Sequence, residues 1–170
     1  MPHGRRCVKI AYNAGLRRNE VVYLAWDDVD FENETITVCN SDDHSTKSRK
    51  IRTLPMNSDI IKALKALRPR MFQNPYVFRD RLTESLFLHT FEQIVINAGH
   101  VITKDGKKKN KFSFHDLRRT FGTNLANKGI SPKILQKLMG HALLATTMKY
   151  YINADMDQQR KAVESLVKIA

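Results

Sequence analysis

Between Val29 and Pro55 the chain abandons helical spacing for a period of two, and that change limits the folds open to it. Val29 and Phe31 alternate with acids. Thr35, Ile36, Thr37 and Val38 follow an Asn-containing turn at Glu32 to Glu34, and a third extended piece from Lys50 to Leu54 stops at Pro55. Three short strands in succession predict an antiparallel meander, with a polar loop from Asn40 to Ser48 joining the second to the third. On both sides apolar residues recur at helical spacing. Arg6 to Leu24 reads as two short helices broken at Gly15, with Val8, Ile10, Ala11 and Ala14 on one stripe and Val21, Val22 and Leu24 on the other. Arg17 then stands at the start of the second. The expected class is α+β, mostly helical with a small three-stranded antiparallel sheet.

From Ser58 onward helices dominate. Ile60, Ile61, Leu64 and Leu67 make one apolar stripe up to Pro69, and Leu86, Phe91, Ile94 and Val95 make another up to Gly99, with an extended piece at Asn74 to Phe78 between them. Ser113 to Lys128 is a predicted helix capped by Ser113 and stopped by Gly129, with Leu117, Phe121 and Leu125 toward the core. His115 and Arg118 lie one turn apart near its start, so they can face one point. Ser131 and Pro132 open the next helix, which Gly140 closes, because proline suits a first helical turn. A short helix is expected over Thr146 to Tyr151. A terminal amphipathic helix, residues 154–170, carries Ala162, Val163, Leu166 and Val167. Val101 to Lys111 holds five lysines against one aspartate, with Gly106 in its middle, and reads as a mobile basic loop.

At 170 residues the chain has the length of one domain with a core of its own. It has no apolar run near the roughly 20 residues of a membrane span, and no secretory signal, so a soluble, intracellular protein is expected. Cys7 and Cys39 are the only cysteines. They read as inert small hydrophobes without a disulfide. The formal charge of +12 points to a polyanion, usually nucleic acid. Asn19 to Thr46 carries eight acids and no Lys or Arg, so all 29 basic residues stand elsewhere against nine acids, an excess of +20. A fold with the acidic stretch at its back would present a basic front able to neutralise several phosphates. A generally basic surface is the other reading.

Arg17, Lys47, His115, Arg118, His141 and Tyr150 share a chemical logic. Displacement at phosphorus builds negative charge on nonbridging oxygens, which planar guanidinium groups clamp bidentately. A loop lysine can protonate a departing sugar oxygen, and a histidine can manage the proton of a phenol. Tyrosine is a weak nucleophile at its free pKa near 10 and needs cations and a base beside it. Taken singly, each arginine or lysine also reads as ordinary surface charge.

These residues fall in ordered blocks: Ala14-Gly15-Leu16-Arg17-Arg18-Asn19-Glu20 followed by Leu24, Trp26 and Asp28; Thr46-Lys47 before Arg52-Thr53-Leu54-Pro55; His115-Asp116-Leu117-Arg118-Arg119-Thr120; Leu138-Met139-Gly140-His141; and Thr146-Thr147-Met148-Lys149-Tyr150. Together they span about Ile10 to Tyr151, and in this order they resemble the catalytic domain of the tyrosine recombinases, the phage-integrase family. The resemblance implies that Arg17 is the first catalytic arginine, Lys47 the strand-loop lysine, His115 and Arg118 the HxxR pair, His141 the second histidine and Tyr150 the nucleophile. Tyr151 is set aside because the family places its tyrosine nine residues after the Gly-His histidine. Gly99-His100 is a decoy pair, and His3 and His44 match no block.

The implied reaction is site-specific DNA strand exchange. A 3′-phosphotyrosyl intermediate conserves the bond energy, so no cofactor, ATP or metal is expected. The implied partners are double-stranded DNA at a recombination site and further protomers, a tetramer for the full-length enzyme, in a prokaryotic or phage setting at the nucleoid, with no membrane role. Arg18, Arg49, Lys104, Lys107, Lys108, Lys109, Lys111 and Arg119 are expected to follow the phosphate backbone without reading bases. A merely solubilising role for the lysine loop is the other reading. Family members have a helical core-binding domain before the catalytic one, so residues 1–170 are expected to be a single catalytic domain truncated at its amino end. The terminal helix is expected to dock in cis or in trans. A DNA-binding module without chemistry and a nicking-resealing enzyme like the type IB topoisomerases are the competing functions.

Overall fold

The structure is a computed structural model that describes residues 2–39, 51–68, 75–78, 84–104 and 107–151. The chain packs as two compact units, the first ending at Phe121 and the second beginning at Gly122.

In the first unit, α1 (Pro2–Ala14) is one helix, longer at its amino end than its apolar stripe predicts, and it buries Cys7, Ile10, Ala11 and Ala14. Gly15 ends it with φ of 61°, a left-handed conformation that glycine adopts without strain. A Cβ there would stand 2.3 Å from Cδ1 of Phe121, so a side chain is excluded twice over. Then come α2 (Arg18–Val22) and a 3-10 turn at Trp26–Asp28, in which the Asp28 carboxylate accepts from the Ala25 N–H at 3.0 Å.

β1 (Val29–Asp30), β2 (Thr35–Cys39) and β3 (Ile51–Pro55) form the expected antiparallel meander in the order β1-β2-β3. Its register pairs Val29 with Ile36 and Ile36 with Leu54. The β1–β2 turn is held by Asp30, whose carboxylate accepts from the N–H groups of Glu32 and Asn33. Ile36, Val38 and Leu54 face the core. The expected loop from Asn40 to Ser48 lies outside the described residues.

α3 (Ser58–Lys65) is capped by Asn57, which accepts from the Ile60 N–H at 3.0 Å. Asp59 in its first turn and Lys62 and Lys65 in its last complement the helix dipole. α3 packs on α1, where Lys9 pairs with Asp59 and the Asn57 amide donates to Asn13. α4 (Glu84–Asn97) also packs on α1, and its Phe91 meets Phe114 edge to face at 5.3 Å.

The segment expected as a mobile basic loop is instead a hairpin, β4 (Val101–Lys104) with β5 (Lys107–Asn110), in which Lys104 pairs with Lys107. The signal was local. Val101, Ile102 and Thr103 favour extended backbone, and the sequence carries Asp-Gly at 105 and 106, a pair that favours a two-residue hairpin turn. Five lysines masked that signal, yet charge does not exclude a strand whose faces reach water.

α5 (Phe114–Asn127) begins where expected, with Ser113 donating to the Asp116 carboxylate through both its N–H and its hydroxyl. Its buried stripe differs from the expected one. Phe114, Arg118, Gly122 and Ala126 are buried, while Leu117, Phe121 and Leu125 are only half-buried. Apolar spacing pointed one position away because the stripe contains a buried arginine and a glycine.

The second unit contains α6 (Pro132–Met139) and α7 (Leu144–Met148). Ser131 caps α6, Pro132 opens it, and Gly140, with φ of 62°, closes it. The helix expected over Thr146 to Tyr151 lies earlier, and Tyr150 sits in the turn that follows α7. The expected terminal helix lies outside the described residues.

Candidate active site

Within the first unit two of the candidate residues, Arg17 and Arg118, gather around a carboxylate that the sequence did not single out. Glu20 is buried, with its side chain 1% exposed. It accepts from the Arg17 N–H at 2.7 Å, the local bond of a helix start with Glu at its third position. It also accepts from Arg17 Nη1 at 2.8 Å and, across the fold, bidentately from Arg52 on β3 at 2.8 and 2.7 Å. Arg118 Nη1 lies 3.9 Å from the same carboxylate and donates to the Gly15 carbonyl at 2.7 Å.

Three guanidinium groups thus converge on one carboxylate, and positive charge is in excess among these four groups. Burial pushes the Glu20 carboxyl up. The Arg52 hydrogen bonds and charge, then the Arg17 N–H and guanidinium, outweigh burial and hold it below its ordinary value. Arg118 is 1% exposed, so it is no surface charge; a guanidinium so placed is tolerated only with partners of this quality. Arg17 keeps its side chain 25% exposed and is the member of the cluster that solvent reaches.

His115 lies on α5, exposed and three residues before Arg118. Partial burial, then the charge of Arg118, lower its pKa; Asp116 opposes this, and Arg119 and Arg17 add to it. The shift favours the neutral ring, the form able to accept a proton.

In the second unit, Gly140 turns the chain so that His141 follows α6 directly, and the Gln136 amide donates to the His141 carbonyl at 3.1 Å. The imidazole Nδ1 lies 2.9 Å from the Thr147 hydroxyl, and the ring stacks on that of Tyr150 with centroids 6.1 Å apart and planes 12° from parallel. Tyr150 is held by its N–H on the Thr147 carbonyl at 3.0 Å. Its ring lies against the backbone of α5, where a Cβ on Gly122 would stand 2.7 Å from Tyr150 Cε1. Tyr151 is engaged differently. Its hydroxyl donates to the Ile130 carbonyl, and burial pushes its phenol up.

Lys47 and Arg49 lie outside the described residues, and for Lys104, Lys107 and Lys108 only the backbone is described. Lys109 and Lys111 are exposed, and Lys111 Nζ lies 5.8 Å from the centre of the Phe112 ring. Arg18 donates to Asn19, and Arg119, its side chain 70% exposed, pairs with Asp116. Among the described residues no group of three His, Cys, Asp or Glu side chains is placed to hold a metal ion, and no helix is long and apolar enough to cross a membrane. Cys7 is buried and free, and burial raises its thiol pKa; the Cys39 side chain lies outside the described set.

Residues 3–158 match the model of the phage integrase family. The chain belongs to that family. This integrase-family chain is 30% identical over 182 residues to the transposase from transposon Tn916 of Enterococcus faecalis, covering 95% of itself and 45% of that protein. It is 32% identical over 164 residues to the tyrosine recombinase XerA of Pyrococcus furiosus, covering 94% and 53%. It therefore spans about half the length of the curated relatives it matches. Among solved structures it resembles the Tn1549 transposon integrase in complex with transposon right end DNA, with a TM-score of 0.75, 27% identity and coverage of 95% and 58%. It also resembles the XerH site-specific recombinase bound to palindromic difH in a post-cleavage complex, with a TM-score of 0.68, 26% identity and coverage of 96% and 46%. These relatives are thus named as a transposase, a tyrosine recombinase, a transposon integrase and a site-specific recombinase.

Sequence reading missed Glu20 and Arg52 as members of the site although both stand in the quoted blocks. The Arg17 to Glu20 spacing was a usable signal, since a glutamate three residues into a helix binds back to its start. Nothing local marks Arg52, which is one more alternating residue of a strand.

Proposed function

We propose that this integrase-family chain cleaves and rejoins DNA at a specific site through a 3′-phosphotyrosyl intermediate. Tyr150 attacks the phosphodiester, the bond from phosphorus to the 5′ oxygen breaks, and a 5′-hydroxyl is freed. Attack by that hydroxyl of a partner strand reverses the step. Arg17 and Arg118 stabilise the charge that grows on the nonbridging oxygens. His115 takes the phenol proton, Lys47 protonates the departing 5′ oxygen, and His141 donates a hydrogen bond to the phosphate. Arg18, Arg49, Lys104, Lys107, Lys108, Lys109, Lys111 and Arg119 contact the DNA backbone. The whole protein works with further protomers as a tetramer on DNA, in a prokaryotic or phage-derived setting at the nucleoid.

The observation that carries this reading is the set of arginines centred on Glu20. A DNA-binding face needs exposed cations, and it gains nothing from burying Arg118 behind a shared carboxylate. Preorganised charge of this kind is what a phosphoryl transition state uses.

The test is covalent trapping. Nicked DNA carrying a candidate site lets the cleaved fragment diffuse away and leaves a denaturant-resistant adduct. Wild type and Tyr151→Phe are expected to form it, and Tyr150→Phe to form none. Loss confined to Tyr151→Phe would move the nucleophile by one residue. Relaxation of supercoiled DNA without site preference would replace the recombinase with a topoisomerase-like activity.

A further inference from the structure

Thr147 lies on α7 with 0% exposure, and among the described residues its hydroxyl has one hydrogen-bond partner, His141 Nδ1 at 2.9 Å. A threonine in a helix commonly donates to a carbonyl of the preceding turn; this one does not. That single contact decides the direction of the bond. A hydroxyl carries one proton. If Nδ1 of a neutral imidazole held its proton, Thr147 would accept it and leave its own O–H in a dry interior without an acceptor, at a cost of about 1 to 3 kcal/mol. If Nδ1 is bare, the hydroxyl donates to it and both groups are satisfied. The ring proton then stands on Nε2.

We propose that Thr147 is a positioning residue that fixes His141 as its Nε2–H tautomer. The stacking of the imidazole on Tyr150 sets the plane of the ring, and the Thr147 bond sets which nitrogen carries the proton. His141 then offers a neutral N–H at Nε2 instead of a lone pair, so it acts as a hydrogen-bond donor to an anion and not as a base. The tautomer stands on this geometry alone; its use, donation toward the phosphate, rests on the recombinase reading above.

The experiment is a long-range 1H–15N spectrum of the histidine side chains of the folded chain above the histidine titration range, with His141 assigned by its loss in His141→Gln. Wild type and Thr147→Ser are expected to show the Nε2–H tautomer, and Thr147→Val, which keeps the shape and removes the hydroxyl, a mixture of both. Adduct formation on nicked DNA is expected to fall on the order of tenfold in Thr147→Val and to recover to within about twofold of wild type in Thr147→Ser. A wild-type spectrum with the proton on Nδ1 overturns the proposal. So does an unchanged tautomer in Thr147→Val, whatever happens to cleavage. Failure of the recombinase reading would show separately, as no adduct in wild type, and the spectrum would still decide the tautomer.

Discussion

Among the described residues Arg118 and Glu20 are the buried charged groups, and burial makes both electrostatically costly. Neither is stable there without the other groups of the cluster. Glu20→Gln keeps the shape and one acceptor but removes the buried carboxylate that three guanidinium groups share, so urea denaturation should show a loss of about 3 kcal/mol. The pH dependence has a definite sign. The folded carboxyl titrates below its ordinary value of 4.5, so the stability it contributes is present above that value and is lost as pH falls through the lowered folded one. Glu20→Gln should therefore have a flatter acid limb of stability than wild type; limbs that superimpose would show that Glu20 is not the group responsible. His115 is lowered from 6.5, so it remains a neutral base to a more acidic pH than an ordinary histidine. The acid limb of adduct formation against pH should lie below 6.5 and vanish in His115→Asn, and a limb above 6.5 would exclude His115 as the base.

Among the elements, the junction of α1 and α2 does most to place the arginines. Gly15 takes a left-handed turn, lets Phe121 of α5 lie on its backbone, and offers its carbonyl to Arg118. Gly15→Ala adds both backbone strain and a clash, and calorimetry should show destabilisation of about 1 to 3 kcal/mol, accompanied by slower adduct formation. Unchanged stability with unchanged cleavage would mean that the junction relaxes freely. At this scale local rules served well where they concerned strands and caps. The meander followed from alternation and turn residues, and Ser113, Ser131, Pro132 and Gly140 mark helix ends as predicted. They failed where the buried stripe of α5 includes Arg118 and Gly122, because no apolar period reveals a position filled by a paired charge or by empty space.

At the scale of the whole molecule, the proposed encounter with DNA is a matter of charge. A formal charge of +12 with an acidic segment apart from the basic residues predicts that affinity falls about a thousandfold between roughly 50 and 200 mM salt. Fluorescence anisotropy on duplex DNA measures this. A flat response would refute the basic front, whereas Glu20→Gln, which acts on the arginine cluster, should leave the slope unchanged. The α+β class and the order of the family blocks were legible in the amino-acid order, because each rests on neighbouring residues. The hairpin at Val101–Asn110 was legible too, in Asp105-Gly106, but was outweighed by a count of lysines. What folding alone could decide is which charges are withdrawn from water and what they meet there. Arg118 binds a carbonyl 103 positions away and Glu20 is clasped by an arginine 32 positions away, and no local period can announce such pairs. Burial is a property of the packed interior, and the direction proposed for the Thr147 bond rests on that burial together with its single partner among the described residues.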